Sequence, residues 1–150
     1  MKRDLQYKKV LKINADNALK VVSNFSKYAD FVPGCTRASL ISRNPPIEIG
    51  QLEFNILGKK YFIESRNEIL ENSINIEQTK GPFNNFNGKW TVKKIDKDFC
   101  EVCFHALFEL PFLLNAITPQ SLIEAFSSNI IESFIKEAQW KFSLHTKELK

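Results

Sequence analysis

A chain of 150 residues and 17.3 kDa that is 43% hydrophobic can enclose one substantial core and is short for two. Thirteen phenylalanines against five glycines and six prolines exclude a disordered or collagen-like chain, and three cysteines are too few for a disulfide scaffold. The net charge of +4 lacks the strongly basic balance of a dedicated nucleic-acid binder, so DNA is not an expected partner.

In chain order, the loose alternation of Leu5, Tyr7, Lys9, Leu11 and Ile13 predicts a first strand over residues 5–13. Asn14 is placed to cap a short helix that carries Ala15, Ala18, Leu19, Val22 and Phe25 at helical spacing. A second helical turn at Lys27–Asp30 should end at Pro33-Gly34. Six strands follow, near 37–43, 49–57, 60–70, 73–79, 86–95 and 99–110, with short turns at Gly58-Lys59 and Glu71-Asn72. Pro45-Pro46 and Pro119 read as punctuation within one domain. In the last strand Val102, Phe104, Ala106, Phe108 and Leu110 share one parity, while Glu101, Cys103, His105, Leu107 and Glu109 share the other. Thr118 as N-cap and Pro119 as first residue then open a long helix. Its apolar row is Leu122, Ile123, Phe126, Ile130, Phe134 and Ala138, running to about Phe142. About 24 residues would span about 36 Å, enough to cross a sheet. The prediction is an α+β fold: a curved antiparallel sheet of six or seven strands wrapped around a long C-terminal helix, with two short helices after strand 1. A single ligand-binding domain occupies residues 1–150, its core at about 5–142.

Met1–Gln6 is charged and no apolar stretch follows, which predicts no signal peptide, and no run approaches the roughly 20 residues of a membrane span. A cytoplasmic protein, at most peripheral to the inner membrane, is expected, with Cys35, Cys100 and Cys103 reduced. The chain has neither G-x-G-x-x-G nor a P-loop, so the usual cradles for nucleotide phosphates are missing. Basic residues gather at 1–12, where Lys2, Arg3, Lys8, Lys9 and Lys12 face Asp4 alone, and again at Lys89, Lys93, Lys94 and Lys97. Such clusters suit RNA or a membrane surface, although a solvated strand face gives the same pattern.

Tyr28-Ala29-Asp30-Phe31-Val32-Pro33-Gly34-Cys35 resembles the Y-x-x-F-(L/V)-P-x-C signature of the coenzyme-Q-binding START-like family. Gly81-Pro82-Phe83 followed by Phe86, Gly88 and Trp90 is similar to its G-P-F…L-x-G-x-W stretch. Cys100–His105 resembles its C-x-(V/I)-x-F-x segment, and Asn129–Phe134 sits where the family has N-M-x-x-A-F. The four run in order over about residues 5–140. The family belongs to the polyketide cyclase/dehydrase superfamily and includes bacterial ribosome-association toxins of the RatA type and mitochondrial coenzyme-Q-binding proteins. Gly34 sides with the bacterial branch. Glu137 departs from it, standing where the family commonly has Arg, with Lys136 one position away.

The resemblance implies a helix-grip fold whose hydrophobic cavity takes a lipid-like ligand, ubiquinone or a similar polyprenyl quinone first. No other cofactor is required. The protein would carry or chaperone that ligand in support of respiration, with a membrane surface or a respiratory complex as partner. The RatA-type alternative would bind the large ribosomal subunit and hinder subunit joining. A polyketide cyclase-like enzyme is the third reading, although an enzyme is less expected than a binding protein.

Phe54, Phe62, Phe83, Phe86, Trp90, Phe104, Phe108, Phe126, Ile130 and Phe134 are the residues expected at the interface of sheet and helix. As a set they suit the wall of an apolar pocket, while any one of them could simply pack against its neighbours. Phe31, Val32 and Pro33, with Gly34, form the candidate gate: Pro33 stiffens the loop, Gly34 frees a backbone angle and Phe31 supplies a plug. The alternative there is an ordinary helix stop. Cys100-x-x-Cys103 with His105 has ligand-like spacing for zinc, but residues three apart on a strand point to opposite faces, so no metal site is assigned. No catalytic residue is assigned either. His105 with Glu101 or Glu109 should face away from the trough, and His145 lies in the tail. A cavity with Tyr61, Arg66 or Glu64 could polarise a carbonyl, but no nucleophile–base–orienter set stands out.

Overall fold

The computed structural model describes residues 2–56 and 58–148, with side chains described within residues 2–142 apart from Ile56. His145 falls outside the described side chains. Strand β1 (Lys2–Leu11) leads into α1 (Ala15–Ser23), a 3-10 turn (Phe25–Lys27) and α2 (Tyr28–Phe31). Then come β2 (Cys35–Asn44), β3 (Ile47–Ile56), β4 (Lys59–Ile69), β5 (Ser73–Lys80), β6 (Asn85–Lys94) and β7 (Cys100–Glu109). Helices α3 (Phe112–Ile117) and α4 (Gln120–Glu148) complete the order. All seven strands form one antiparallel sheet in the order β1-β7-β6-β5-β4-β3-β2. This is the expected helix-grip architecture.

Local chemistry explains most boundaries. Asn14 caps α1 as predicted, its Oδ1 accepting from the Asp16 amide at 2.9 Å. Ala18, Val21 and Val22 then turn inward at helical spacing. Gly58, at φ +81, supplies the backbone of the β3–β4 turn, where a side chain would be strained. The Pro45-Pro46 peptide in the β2–β3 turn is cis. Asp96 accepts from the amides of Asp98 and Phe99 at 2.8 and 3.0 Å and so bends the chain between β6 and β7.

The first strand begins earlier than its apolar pattern does. Lys2, Arg3 and Asp4 pair with Glu109, Phe108 and Leu107, because ladder bonds need no apolar side chain. Helix α3 was not foreseen in sequence. Thr118 does not cap α4: its hydroxyl donates back to the Leu114 carbonyl at 2.6 Å, and Pro119 precedes the first helical residue, its carbonyl accepting from Leu122 at 3.1 Å.

The apolar row on α4 also differs from expectation. Ile131, Phe134, Ile135 and Ala138 are buried, but Leu122 is 58% exposed and Phe126 is 38% exposed. Steps of four residues overshoot a turn by about 40°, so the row from 122 to 138 winds about 160° around the helix. Its first members leave the sheet.

The core has two parts. One gathers α1, the C-terminal half of α4 and residues such as Trp90, Val92, Cys100 and Val102. The other is built from Leu5, Ala106, Phe108 and Leu110, with Phe83, Phe86, Leu114 and Ile123 packed on it. Gly50 allows close packing on the concave face, where the ring of Phe25 lies over it; a Cβ there would sit 2.6 Å from Phe25 Cζ. Phe25 is buried and cannot swing into solvent. Gly50→Ala should therefore destabilise the protein by about 1–3 kcal/mol, read as a lowered urea midpoint with an unchanged m-value. An unaltered midpoint would show that this packing is looser than described.

Candidate functional site: the concave face beneath helix α4

Alternation decides which side chains the sheet presents to α4. Registers place Leu5, Tyr7 and Leu11 of β1 opposite Ala106, Phe104 and Cys100 of β7, and Trp90 of β6 opposite both Phe104 and Ile74. Phe54 of β3 faces Tyr61 of β4 on the same side.

The aromatic side chains fall into two groups. Trp90 lies 4.8 Å from Phe104 and 5.2 Å from Phe134, centroid to centroid. Phe134 also meets Tyr28 at 4.8 Å and Phe31 at 5.2 Å, both edge-on. The second group is Phe83, Phe86 and Phe108, with separations of 5.2 to 5.9 Å. Phe104 touches both apolar clusters and joins them.

Of the residues expected here, the structure brings together Phe54, Phe83, Phe86, Trp90, Phe104, Phe108, Ile130 and Phe134. Phe31 and the buried Val32 pack against the same core, while Pro33 is exposed. Gly34 takes φ +79, and its carbonyl accepts from Asn55 at 2.8 Å. Phe62 does not join them. It pairs with Glu53 on the opposite parity and is 53% exposed, among Lys60, Glu64 and Arg66 on the outer face. Phe126 is turned partly to solvent by the winding of its row. Glu64 and Arg66 likewise face out, leaving Tyr61 as the one of those three on the inner parity.

Polar groups on this face were missed in sequence. Glu48, Ser65 and Asn67 are buried there; Ser65 Oγ donates to Asn67 Oδ1 at 3.0 Å, and Glu48 pairs with Arg43 at 3.4 Å. Burial, with Glu48 nearby, pushes the Tyr28 hydroxyl pKa well above its ordinary value, and that hydroxyl donates to the Val22 carbonyl. The signal for Ser65 and Asn67 was available: they share parity with Tyr61, Ile63 and Ile69.

Beside the aromatic face, a slot of about 220 Å³ lies between β1 and α4, lined by Leu5, Gln6, Tyr7, Glu124, Ser127, Ser128 and Ile131. Contacts hold its two ends. At one, the Arg3 guanidinium donates to Asn115 Oδ1 (2.9 Å), the Asn115 carbonyl (3.1 Å), the Thr118 carbonyl (2.7 Å) and Gln120 Oε1 (3.0 Å). At the other, Tyr7 donates to the Glu132 carboxylate, which also meets Lys9 Nζ at 3.4 Å.

A larger depression of about 380 Å³ lies on the outer face, where Arg66, Glu68, Asn75, Glu77, Asn87, Lys89 and His105 mix both signs of charge. His105 pairs with Asp4 at 3.0 Å rather than with Glu101 or Glu109. Cys100 is buried on the inner parity and Cys103 stands on the other, so the C-x-x-C pair diverges; among the described residues no three His, Cys, Asp or Glu side chains converge as a metal group. The two basic clusters meet across β7, with Lys8 and Lys93 on either side of Glu101 and Cys103. Among the described residues no helix is long and apolar enough to cross a membrane.

Residues 11–135 match the family model described as polyketide cyclase/dehydrase and lipid transport. The chain belongs to this family. It is 24% identical over 131 residues to the persistence and stress-resistance toxin PasT of Escherichia coli O6:H1 (strain CFT073), and 23% identical to the ribosome association toxin RatA of Escherichia coli K12. Each match covers 87% of this chain and 83% of the relative. In fold it is similar to the Zhui aromatase/cyclase of Streptomyces sp. R1128, with TM-score 0.81, 16% identity and coverage of 93% and 94% of the two chains. It is likewise similar to a START superfamily protein of Mycobacterium smegmatis, with TM-score 0.73, 14% identity and coverage of 98% and 99%. Membership of the polyketide cyclase/dehydrase and lipid transport family accounts for the fold.

The latch at Glu132 gives a pH signature. Burial, then the hydrogen bond to Glu132, pushes Tyr7 up to about 12. The same bond, followed by Lys9, holds Glu132 below the usual carboxylate range against the opposing effect of burial. A raised tyrosine stabilises the fold fully below its unfolded value of 10.0, and that stability is lost as pH rises through about 12. A depressed carboxylate stabilises above its unfolded value, and that contribution is lost as pH falls through the folded one. Thermal melts should therefore show a fall in Tm between pH 10 and 12 that is smaller in Tyr7→Phe, and an acid-side fall that is smaller in Glu132→Gln. Variants that follow the parent's profile at both ends would dismiss the latch.

Proposed function

We propose that this chain binds a hydrophobic small molecule between its sheet and α4, with a polyprenyl quinone such as ubiquinone as the first candidate, and carries or chaperones it in support of respiration. The observation that supports this reading is the aromatic concave face, where Trp90 meets both Phe104 and Phe134, beside the slot between β1 and α4. A quinone ring suits stacking on such aromatics, and an isoprenoid tail suits the Leu5–Phe108 cluster. The slot alone is smaller than a polyprenyl chain, so uptake would displace α4 from part of the sheet. Removing about 300 Å² of tail from water contributes roughly 7 kcal/mol, enough to offset a partial displacement. The Phe31–Val32–Pro33 loop lies against Phe134 and would move with it.

Protein purified from its host should yield a quinone on organic extraction and mass spectrometry. Titration with a short-chain ubiquinone should quench Trp90 fluorescence in a Trp140→Phe background, because Trp90 is buried at the interface and Trp140 is 63% exposed. Ser127→Phe, which fills the slot without adding a second tryptophan, should weaken the quench. No quinone in the extract together with no quench on titration would reject the reading.

A second reading rests on the relatives named as toxins, one of them as a ribosome association toxin, and on the convergence of both basic clusters beside β7. In it the chain associates with the large ribosomal subunit and hinders subunit joining. Contacts from Lys8, Lys89 and Lys93 to phosphates would make co-sedimentation with ribosomes fall steeply as salt rises. Absence of the chain from ribosomal fractions at low salt would remove this reading. A polyketide cyclase reading has less support, since Glu64 and Arg66 face away from the trough.

A further inference from the structure

The concave face changes character where it crosses β3 and β4. Most of its side chains are apolar, yet Glu48, Ser65 and Asn67 sit there at 8%, 6% and 6% exposure. The registers give their neighbours. Asn67 stands directly opposite Glu48 of β3 on one side and Ile76 of β5 on the other, and Ser65 stands opposite Gly50. The row that begins at Glu48 and Asn67 continues through Ile76, Gly88 and Ala106 to Leu5, which lines the slot under α4. It is a run of about 24 Å across the sheet, polar at one end and apolar from Ile76 onward. The rings of Phe86 and Phe104 lie beside Gly88 at its middle.

Buried polar groups in a folded chain are hydrogen-bonded with few exceptions, so the partners of these three side chains are informative. Ser65 Oγ donates to Asn67 Oδ1 at 3.0 Å. No described group accepts from Asn67 Nδ2, and no hydrogen bond joins it to the carboxylate it faces. The Glu48 carboxylate is paired with the Arg43 guanidinium at 3.4 Å and accepts from no described hydroxyl or amide. Among the described residues no side-chain nitrogen or oxygen is sealed away without a partner, so the unused edges of Asn67 and Glu48 open onto the trough. A donor and an acceptor therefore stand opposed across one ladder, with about 5 Å between their Cβ atoms, and are not joined. Phe25, itself buried, lies over the neighbouring Gly50 and shields this corner from solvent.

We propose that this corner binds the polar end of the molecule held in the trough and selects a hydroxyl over a carbonyl. The inference rests on the reading of the chain as a carrier of a hydrophobic ligand and narrows the class of that ligand. A hydroxyl accepts from Asn67 Nδ2 through a lone pair while donating to the Glu48 carboxylate, so one atom satisfies both open groups. A quinone carbonyl accepts from Asn67 but has no hydrogen for Glu48, and it sets its own partial negative charge against a carboxylate. The ligand class is a phenol or alcohol with an apolar tail, and among the quinones it is the reduced quinol. The tail follows Ile76, Gly88 and Ala106 toward Leu5.

The test is anaerobic calorimetric titration of the protein with three short-chain ligands: a ubiquinone, the ubiquinol obtained from it, and the dimethyl ether of that ubiquinol, which keeps the oxygens and lacks the donors. The ubiquinol should bind about tenfold more tightly than the other two, because it alone can donate to a buried carboxylate. Glu48→Gln keeps the shape, removes the charge and adds a donor, so it should abolish that preference without weakening the ubiquinone. The comparison of ligands on the unaltered chain stands whatever Glu48→Gln does to the Tm. Equal affinities, a tighter ubiquinone, or a preference unchanged by Glu48→Gln would overturn the inference and leave the carrier reading in place, with a bridging water as the occupant of the corner. Binding of none of the three would remove the quinone reading and this inference together.

Discussion

The ring of Phe134 touches Trp90 of β6, Phe31 of α2 and Tyr28 at the head of that helix, so one side chain ties the long helix both to the sheet and to the α1–α2 crossing. The crossing has a demanding path. Strand β1 lies at one edge of the sheet and β2 at the other, so residues 12–34 must carry the chain across the concave face. They do so by burying Ala18, Val21, Val22, Phe25 and Val32 against it. Without the contact of Phe134 with Tyr28 and Phe31, α2 would meet the sheet mainly through β2, an edge strand. The expected gate loop is thereby coupled to α4.

How much of this was legible in sequence depends on which kind of regularity carried it. Strands with alternating charge were readable almost residue by residue. In β7 the division between Phe104 and Phe108 on one face and His105 and Glu109 on the other follows from period two alone. The misplacement of Phe62 came from weighing its own hydrophobicity above that of its neighbours at positions 60, 64 and 66, all charged. In a strand the parity of the neighbours is the stronger signal, because one register sets every side chain at once. On α4 the difficulty was different. A row spaced by four residues looks straight on paper and winds on a helix, so Leu122 and Phe126 separated from Ala138. Helix α3 escaped because six residues with an exposed apolar face have no amphipathic signature of a buried helix. Arg3 and its contacts with Asn115, Thr118 and Gln120 join positions more than a hundred residues apart, and nothing local marks them.

The division of the core into two clusters gives α4 two unlike halves. From Ile131 to Ala138 it sinks four side chains into the larger cluster, at a depth where removing any one leaves a cavity. Before Ile131, Ile123 packs on the smaller cluster and Ile130 on the larger, while Gln120 is held by Arg3. The slot lies under this lightly packed half. Arg3 with Gln120 and Tyr7 with Glu132 bound it, about 18 Å apart along the helix. Local opening follows regions of few buried apolar contacts, which places it here rather than over Trp90.

Of the two walls of that slot, only the helix can yield at low cost. Strand β1 is an edge strand, but all ten of its residues are in register with β7, and pulling it away would strip ladder bonds along its whole length. Helix α4 makes its backbone bonds within itself, so displacing its first half breaks side-chain contacts and perturbs backbone bonds only where the helix bends ahead of Ile131. Those side-chain contacts include the packing of Ile123 and Ile130 and the hydrogen bond from Arg3 to Gln120 at 3.0 Å. A ligand that brought apolar surface to Leu5, Phe104 and Phe108 would substitute for Ile123 and cover a face already built to be covered. For such a ligand the sheet would be the fixed half of the grip and α4 the half that yields.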